Sequence, residues 1–134
     1  MTIKELKSNI KTLGFEEDST MDLYSEIVLN AINRSIDWVY RTVVEPYKNY
    51  FEDVVEVDVY EPSHITSDTS EMEEIDLPEM VCGIVPLMSA YFIWLDDDER
   101  KATMYWNNAD DLKTQLLSVI IKPRKCKFVG GLEI

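Results

Sequence analysis

The stretch Met80 to Leu116, MVCGIVPLMSAYFIWLDDDERKATMYWNNADDLKTQL, decides the fold. Its first 16 residues, Met80 to Leu95, carry no charge, and four acids then follow in a row, Asp96, Asp97, Asp98 and Glu99. That apolar run is slightly short of the roughly 18 to 20 residues that span a bilayer. It contains Gly83, Pro86 and Ser89, Glu79 closes its other end, and no Lys or Arg cluster flanks it to fix an orientation. It therefore reads as a helix buried in protein, and no membrane is expected as a partner. Asp76 and Glu79 have N-cap to N3 spacing and Pro78 falls in the first turn, so the helix is expected to start near residue 76. Pro86, deep within it, removes the bond to the Cys82 carbonyl and predicts a kink near Gly83. Asp96 and Glu99 repeat the capping spacing, and the acids around them complement the positive end of a following helix. That helix runs to about Ile121 with Ala102, Tyr105, Trp106, Ala109, Leu112, Leu116 and Ile120 on its apolar side. Because only a tight turn separates the two, 76–121 reads as an antiparallel helical hairpin.

Toward the N-terminus, 1–46 reads as two helices. In the first, Thr2 and Glu5 have capping-box spacing, Ile3, Leu6, Ile10 and Leu13 form one stripe, Lys4, Lys7 and Lys11 lie outward, and Gly14 supplies the stop. After an acidic turn, Ser19 or Thr20 can cap a longer helix in which Tyr24, Ile27, Val28, Ala31, Ile32, Ile36, Val39 and Val43 recur at helical spacing, and Pro46 ends it. The period then changes to two: Val55, Val57 and Val59 alternate with Glu56, Asp58 and Tyr60, the pattern of a strand with one wet face. Glu61 to Asp76 reads as a loop or a loosely paired return strand, so 50–76 is an acidic strand and loop. Between Glu52 and Glu79 there are eleven acids and no Lys or Arg, a composition expected of a solvated segment. Pro123 stops the last helix and leaves 122–134 as a basic extended tail, whose Lys122, Arg124, Lys125 and Lys127 are opposed only by Glu133. The expected fold is mainly α in one domain, 1–134. It is a small bundle of about four helices around the central hairpin, with a short β strand or hairpin and an extended C-terminal tail.

Charge and chemistry narrow the function. Twenty-six acidic side chains face 13 basic ones, a formal charge of −13 that repels polyphosphate over most of the surface. Cys82 and Cys126 are far apart with no CxxC, which indicates neither a disulfide scaffold nor a thiolate metal site and suggests a reducing compartment. The opening MTIKELKSNIKTLG has no apolar h-region, so no secretory signal is expected. His64, the single histidine, has no Cys or second His at ligand spacing, and there is neither a G-x-S-x-G elbow nor a Gly-rich phosphate loop. Asp96 to Glu99 could hold a divalent ion, but helix capping explains them without one. Cys126 lies between two lysines that could lower its pKa, with no histidine near it in sequence. Tyr91, Phe92, Trp94, Tyr105 and Trp106, on two adjoining helices among acidic segments, read as core or subunit contact rather than a base-stacking platform. No catalytic, cofactor-binding or metal-binding residue is assigned, and no cofactor is expected.

Two segments carry a resemblance. Ala31 to Trp38, AINRSIDW, preceded by Asp22, Tyr24 and Ile27, resembles the N-terminal helix of head-to-tail connector (adaptor) proteins of tailed bacteriophages. Leu87 to Leu116, beginning LMSAYFIWLDDDERKATMYWNNADDL just after Pro86, is similar to their two-helix hairpin. The matching residues are Val85, Pro86, Leu87, Ala90, Asp96 to Asp98, Ala102, Tyr105, Asn107 and Leu112. Where the family often has an arginine before its asparagine this chain has Trp106, and the acidic pair shifts to Asp110 and Asp111. The resemblance implies a virion structural protein, not an enzyme. It would assemble in the bacterial host cytoplasm and sit in the neck as a ring, commonly a dodecamer, between the portal protein and the tail or tail-completion protein. DNA would pass through its lumen without specific binding. Head-to-tail contacts close into such a ring only if the rotation between subunits permits. The helix from Thr20 and the hairpin from Asp76 would supply the subunit core and part of the lateral face.

Charge and period add two expectations. The tail could extend as a strand onto the portal or a neighbouring subunit, with Lys122, Arg124, Lys125 and Lys127 meeting acids and Phe128, Val129, Leu132 and Ile134 filling pockets. Within one chain, Lys125 and Lys127 could instead pair with Glu56 and Asp58. Glu52, Asp53, Glu56, Asp58 and Glu61 could face the lumen, where negative charge keeps passing DNA from sticking. Three other readings compete. A tail-completion or terminator protein of the same neck would show more strand, an acidic DNA mimic would bind a basic protein's groove and form no ring, and a carboxylate-metal hydrolase would bind divalent ions.

Overall fold

The computed structural model describes residues 1–15 and 24–121. Within them the chain is mainly helical: α1 (Ile3–Thr12), α2 (Ser25–Val39), α3 (Lys48–Asp53), α4 (Ile84–Trp94) and α5 (Glu99–Ile120). No helix among the described residues is long and apolar enough to cross a membrane. α4 is the central element. It is apolar on every side, and Ile84, Val85, Pro86, Met88, Ser89, Ala90 and Ile93 are all buried because α1, α2 and α5 pack around it. Its partners on α5 climb as it descends. Lys101 lies over the Trp94 ring, Tyr91 meets the Trp106 ring at 5.3 Å, and Leu112 lies beside Gly83. The two helices therefore run in opposite directions.

α1 forms as its sequence dictates. The Thr2 hydroxyl oxygen accepts from the Glu5 amide at 3.2 Å, and Ile3, Leu6 and Ile10 are buried. The two preceding orphan amides are satisfied from afar: Ile3 and Lys4 donate to the carbonyls of Glu73 and Glu71, both at 2.9 Å. Together with Ile75 donating to the Met1 carbonyl at 3.0 Å, these bonds make an isolated antiparallel bridge between Thr2 and Glu74. After the helix Gly14 adopts φ 153°, and a Cβ there would lie 2.6 Å from Trp94 Nε1. Glycine is required both for that backbone and for the close approach. Tyr105 closes the same corner by donating its hydroxyl to the Leu13 carbonyl.

Elsewhere the structure corrects the sequence reading. Asp76 does not cap a helix. Its carboxylate accepts from the Tyr60 hydroxyl at 2.6 Å and the Ser63 amide at 2.8 Å, so a 3-10 turn (Glu79–Val81) stands where a helix start was expected. α4 begins only at Ile84, which makes Pro86 its third residue, where a missing N–H belongs to the groups that have no partner anyway. Gly83 thus stands before the helix rather than inside it, and the kink expected there has no helix to bend. Asp98, not Asp96, caps α5, accepting from the Lys101 amide at 3.1 Å, because the Asp97 and Asp98 amides both turn back to the Trp94 carbonyl. Pro46 does not end the helical path. α2 widens into a π turn (Tyr40–Val44) whose Glu45 amide reaches back five residues to Tyr40, and Pro46 then fits within a 3-10 turn (Glu45–Tyr47) that leads into α3. The caps expected at Ser19 or Thr20 lie outside the described residues.

The predicted strand and hairpin are absent among the described residues. Val55, Val57 and Val59 are half-buried while Glu56, Asp58 and Tyr60 are exposed, so the alternation reports a wet and a dry face. It makes no ladder. Glu56 takes φ 62°, and the Val57 amide bonds the Phe51 carbonyl at the end of α3.

Candidate interaction surfaces

The AINRSIDW segment is used residue by residue. Asn33 clamps the acidic loop, donating to the Ile65 carbonyl at 2.9 Å and accepting from the Ile65 amide at 2.8 Å. Arg34 sits 4.1 Å from the centroid of the Phe92 ring. Ser35, buried, donates to the Ala31 carbonyl and accepts from Ser89 of α4. Asp37 meets His64 Nε2 with both carboxylate oxygens at 2.9 Å, and Trp38 packs edge-on against Trp106 of α5 at 5.7 Å. The two segments that carry the resemblance are thus one packed unit. Of the matching hairpin residues, Val85, Pro86, Ala90, Ala102 and Tyr105 are buried and Leu87 and Leu112 half-buried, whereas Asp96, Asp97, Asp98 and Asn107 are exposed.

The acids proposed to face a lumen, Glu52, Asp53, Glu56, Asp58 and Glu61, are all exposed along the end of α3 and the extended run after it. The docking residues Lys122, Arg124, Lys125, Lys127, Phe128, Val129, Leu132 and Ile134 lie outside the described residues. Among the described residues no group of three or more His, Cys, Asp or Glu is placed to hold a metal ion.

Sequence reasoning missed a groove of about 490 Å³ between the run 57–60 and the return segment 74–79. Tyr40, Val44, Val57, Val59, Ile75, Leu77 and Pro78 give it apolar walls, while Asp58, Glu74, Asp76 and Glu79 give it four carboxylates. The Tyr60 to Asp76 and Ser63 to Asp76 bonds tie the two walls together. That bond and the charge of Asp76 raise the Tyr60 phenol above its usual pKa. The available signal was the valine alternation itself, a dry edge with no partner strand in the sequence nearby. Elsewhere burial pushes the Cys82 thiol up to about 11 and also raises Tyr105.

Comparison with protein-family models, with curated proteins and with solved structures finds no match to this chain.

Proposed function

We propose that this chain is a structural subunit of a tailed-bacteriophage neck, a head-to-tail connector that assembles as a ring between portal and tail. The observation that carries the reading is the mutual packing of the two resembling segments. Ser35 to Ser89, Arg34 to Phe92 and Trp38 to Trp106 join α2 to the hairpin, and Asn33 fixes the acidic loop to the same helix. The unit leaves apolar side chains outward: Ile27 on α2 and Met104, Trp106 and Val119 on α5 are exposed. In this reading they meet the neighbouring subunit, and Glu52, Asp53, Glu56, Asp58 and Glu61 face the lumen.

Native mass measurement of the purified chain, alone and with portal protein, tests the reading. It predicts a monomer that becomes a ring on portal. The absence of a strand ladder among the described residues favours a connector over a more strand-rich completion protein. A chain that ignores portal but binds a basic DNA-binding protein tightly and salt-sensitively would instead be the DNA mimic that the charge of −13 also suits.

A further inference from the structure

The groove between 57–60 and 74–79 lies beside an extended run of backbone. The amides of Asp58, Val59, Tyr60 and Glu61 have no backbone hydrogen-bond partner among the described residues, although the run is extended and one face of it is half-buried. An unpaired edge of this kind is a template for an added strand. Of the groove's carboxylates, Glu79 is paired with the Met1 ammonium at 2.5 Å, whereas Asp58, Glu74 and Asp76 are paired with no cation among the described residues. We propose that the groove seats the chain's own basic tail, Lys122–Ile134, as a strand laid along 57–60. The inference does not depend on the neck reading.

Period, charge and reach select this occupant. Laid as a strand, the sequence Arg124-Lys125-Cys126-Lys127-Phe128 would put Cys126 and Phe128 on one face and Lys125 and Lys127 on the other. In that register Cys126 and Phe128 would meet the half-buried face of Val57 and Val59. Lys125 and Lys127 would then meet the wet face of Glu56 and Asp58. The starting point is favourable too. Leu112 lies beside Gly83 and Lys113 over Trp38, and α5 continues past them to Ile120, roughly 12 Å further. Gly83 and Trp38 are close in sequence to the groove residues Glu79 and Tyr40. Thirteen residues of tail reach up to about 43 Å, against about 13 Å for the four-residue edge. Covalent attachment gives the tail an effective concentration on the order of millimolar, which favours it over the tail of a second copy in dilute solution.

Cys126 supplies the probe. In the full-length chain, Val57→Cys and Val59→Cys are oxidised under mild conditions beside an Asp58→Cys control, and the disulfides are mapped by peptide mass. The proposal expects an intramolecular bond from Cys126 to residue 57 or 59 that forms at least tenfold faster than to 58, with the advantage shrinking in high salt. Equal rates at all three positions, or bonds that join two chains, overturn it. Hydrogen exchange on the chain without added cysteines gives an independent reading. Alternate amides among Asp58 to Glu61 are expected to be protected tenfold or more and to lose that protection in the K125E/K127E variant. Unprotected amides in both proteins contradict the proposal.

Discussion

Asn33 holds the acidic segment with two hydrogen bonds to the backbone of one residue, Ile65, from a helix position where its own backbone needs nothing from the side chain. Asn33→Ala leaves the Ile65 amide and carbonyl without these partners, and a loss of about 1–3 kcal/mol is expected. Chemical denaturation measures the loss, and faster exchange at the Ile65 amide locates it. Gly14→Ala meets both a φ that L-residues avoid and the Trp94 ring at 2.6 Å, so a drop of about 1–3 kcal/mol and a lower Tm are expected. An unchanged Tm would mean that the α1 to α4 corner adjusts freely. Cys82 is 1% exposed with its thiol raised to about 11, so the native protein at pH 8 should leave it unalkylated while denatured protein reacts at once. The same shift fixes a pH dependence. Below about pH 9, the usual thiol value here, both folded and unfolded forms keep the proton and the contribution is whole. Between 9 and about 11 only the unfolded form loses it, so stability falls through that window. Cys82→Ala should flatten this part of the stability profile.

Among the elements, α1, α2 and α5 were legible because each has one apolar face at helical spacing, which neighbours in sequence alone can show. The start of α4 was not, because Asp76 spends its carboxylate on Tyr60 and Ser63, more than ten residues away, and a capping pattern cannot reveal a distant competitor. Pro86 was misjudged for the same reason: once the start moves to Ile84, the proline changes from a helix breaker to a first-turn residue. The valine run was read correctly for its faces and wrongly for its partner, since alternation reports burial, not pairing. The groove could not be foreseen at all, being assembled from residues 40–44, 57–60 and 74–79. Since α4 is the element that α1, α2 and α5 share, truncation inside it should be severe. Met88→Ala, at 0% exposure, is expected to lose about 2–5 kcal/mol, against less than about 0.5 kcal/mol for the exposed Met104→Ala, both by denaturant titration.

Over the whole molecule, one helical unit presents two kinds of surface. Ten of the eleven acids between Glu52 and Glu79 are exposed, whereas α2 and α5 leave Ile27, Met104, Trp106 and Val119 outward. A ring subunit needs this division, with apolar sides to meet its neighbours and a charged face that passing DNA avoids. Neutralising Glu52, Asp53, Glu56, Asp58 and Glu61 to Gln and Asn should leave thermal stability nearly unchanged, because exposed like charges contribute little to folding; under the neck role proposed above it should also slow DNA ejection from assembled particles. Ejection at the normal rate would remove these residues from the lumen. The most direct measurement is a density map of the particle neck at a resolution that traces helices. The account predicts a closed ring of this chain beneath the portal, with α2 and α5 in lateral contact and the 52–61 segment toward the central channel. A neck without the chain, or the chain placed singly elsewhere in the particle, would contradict it.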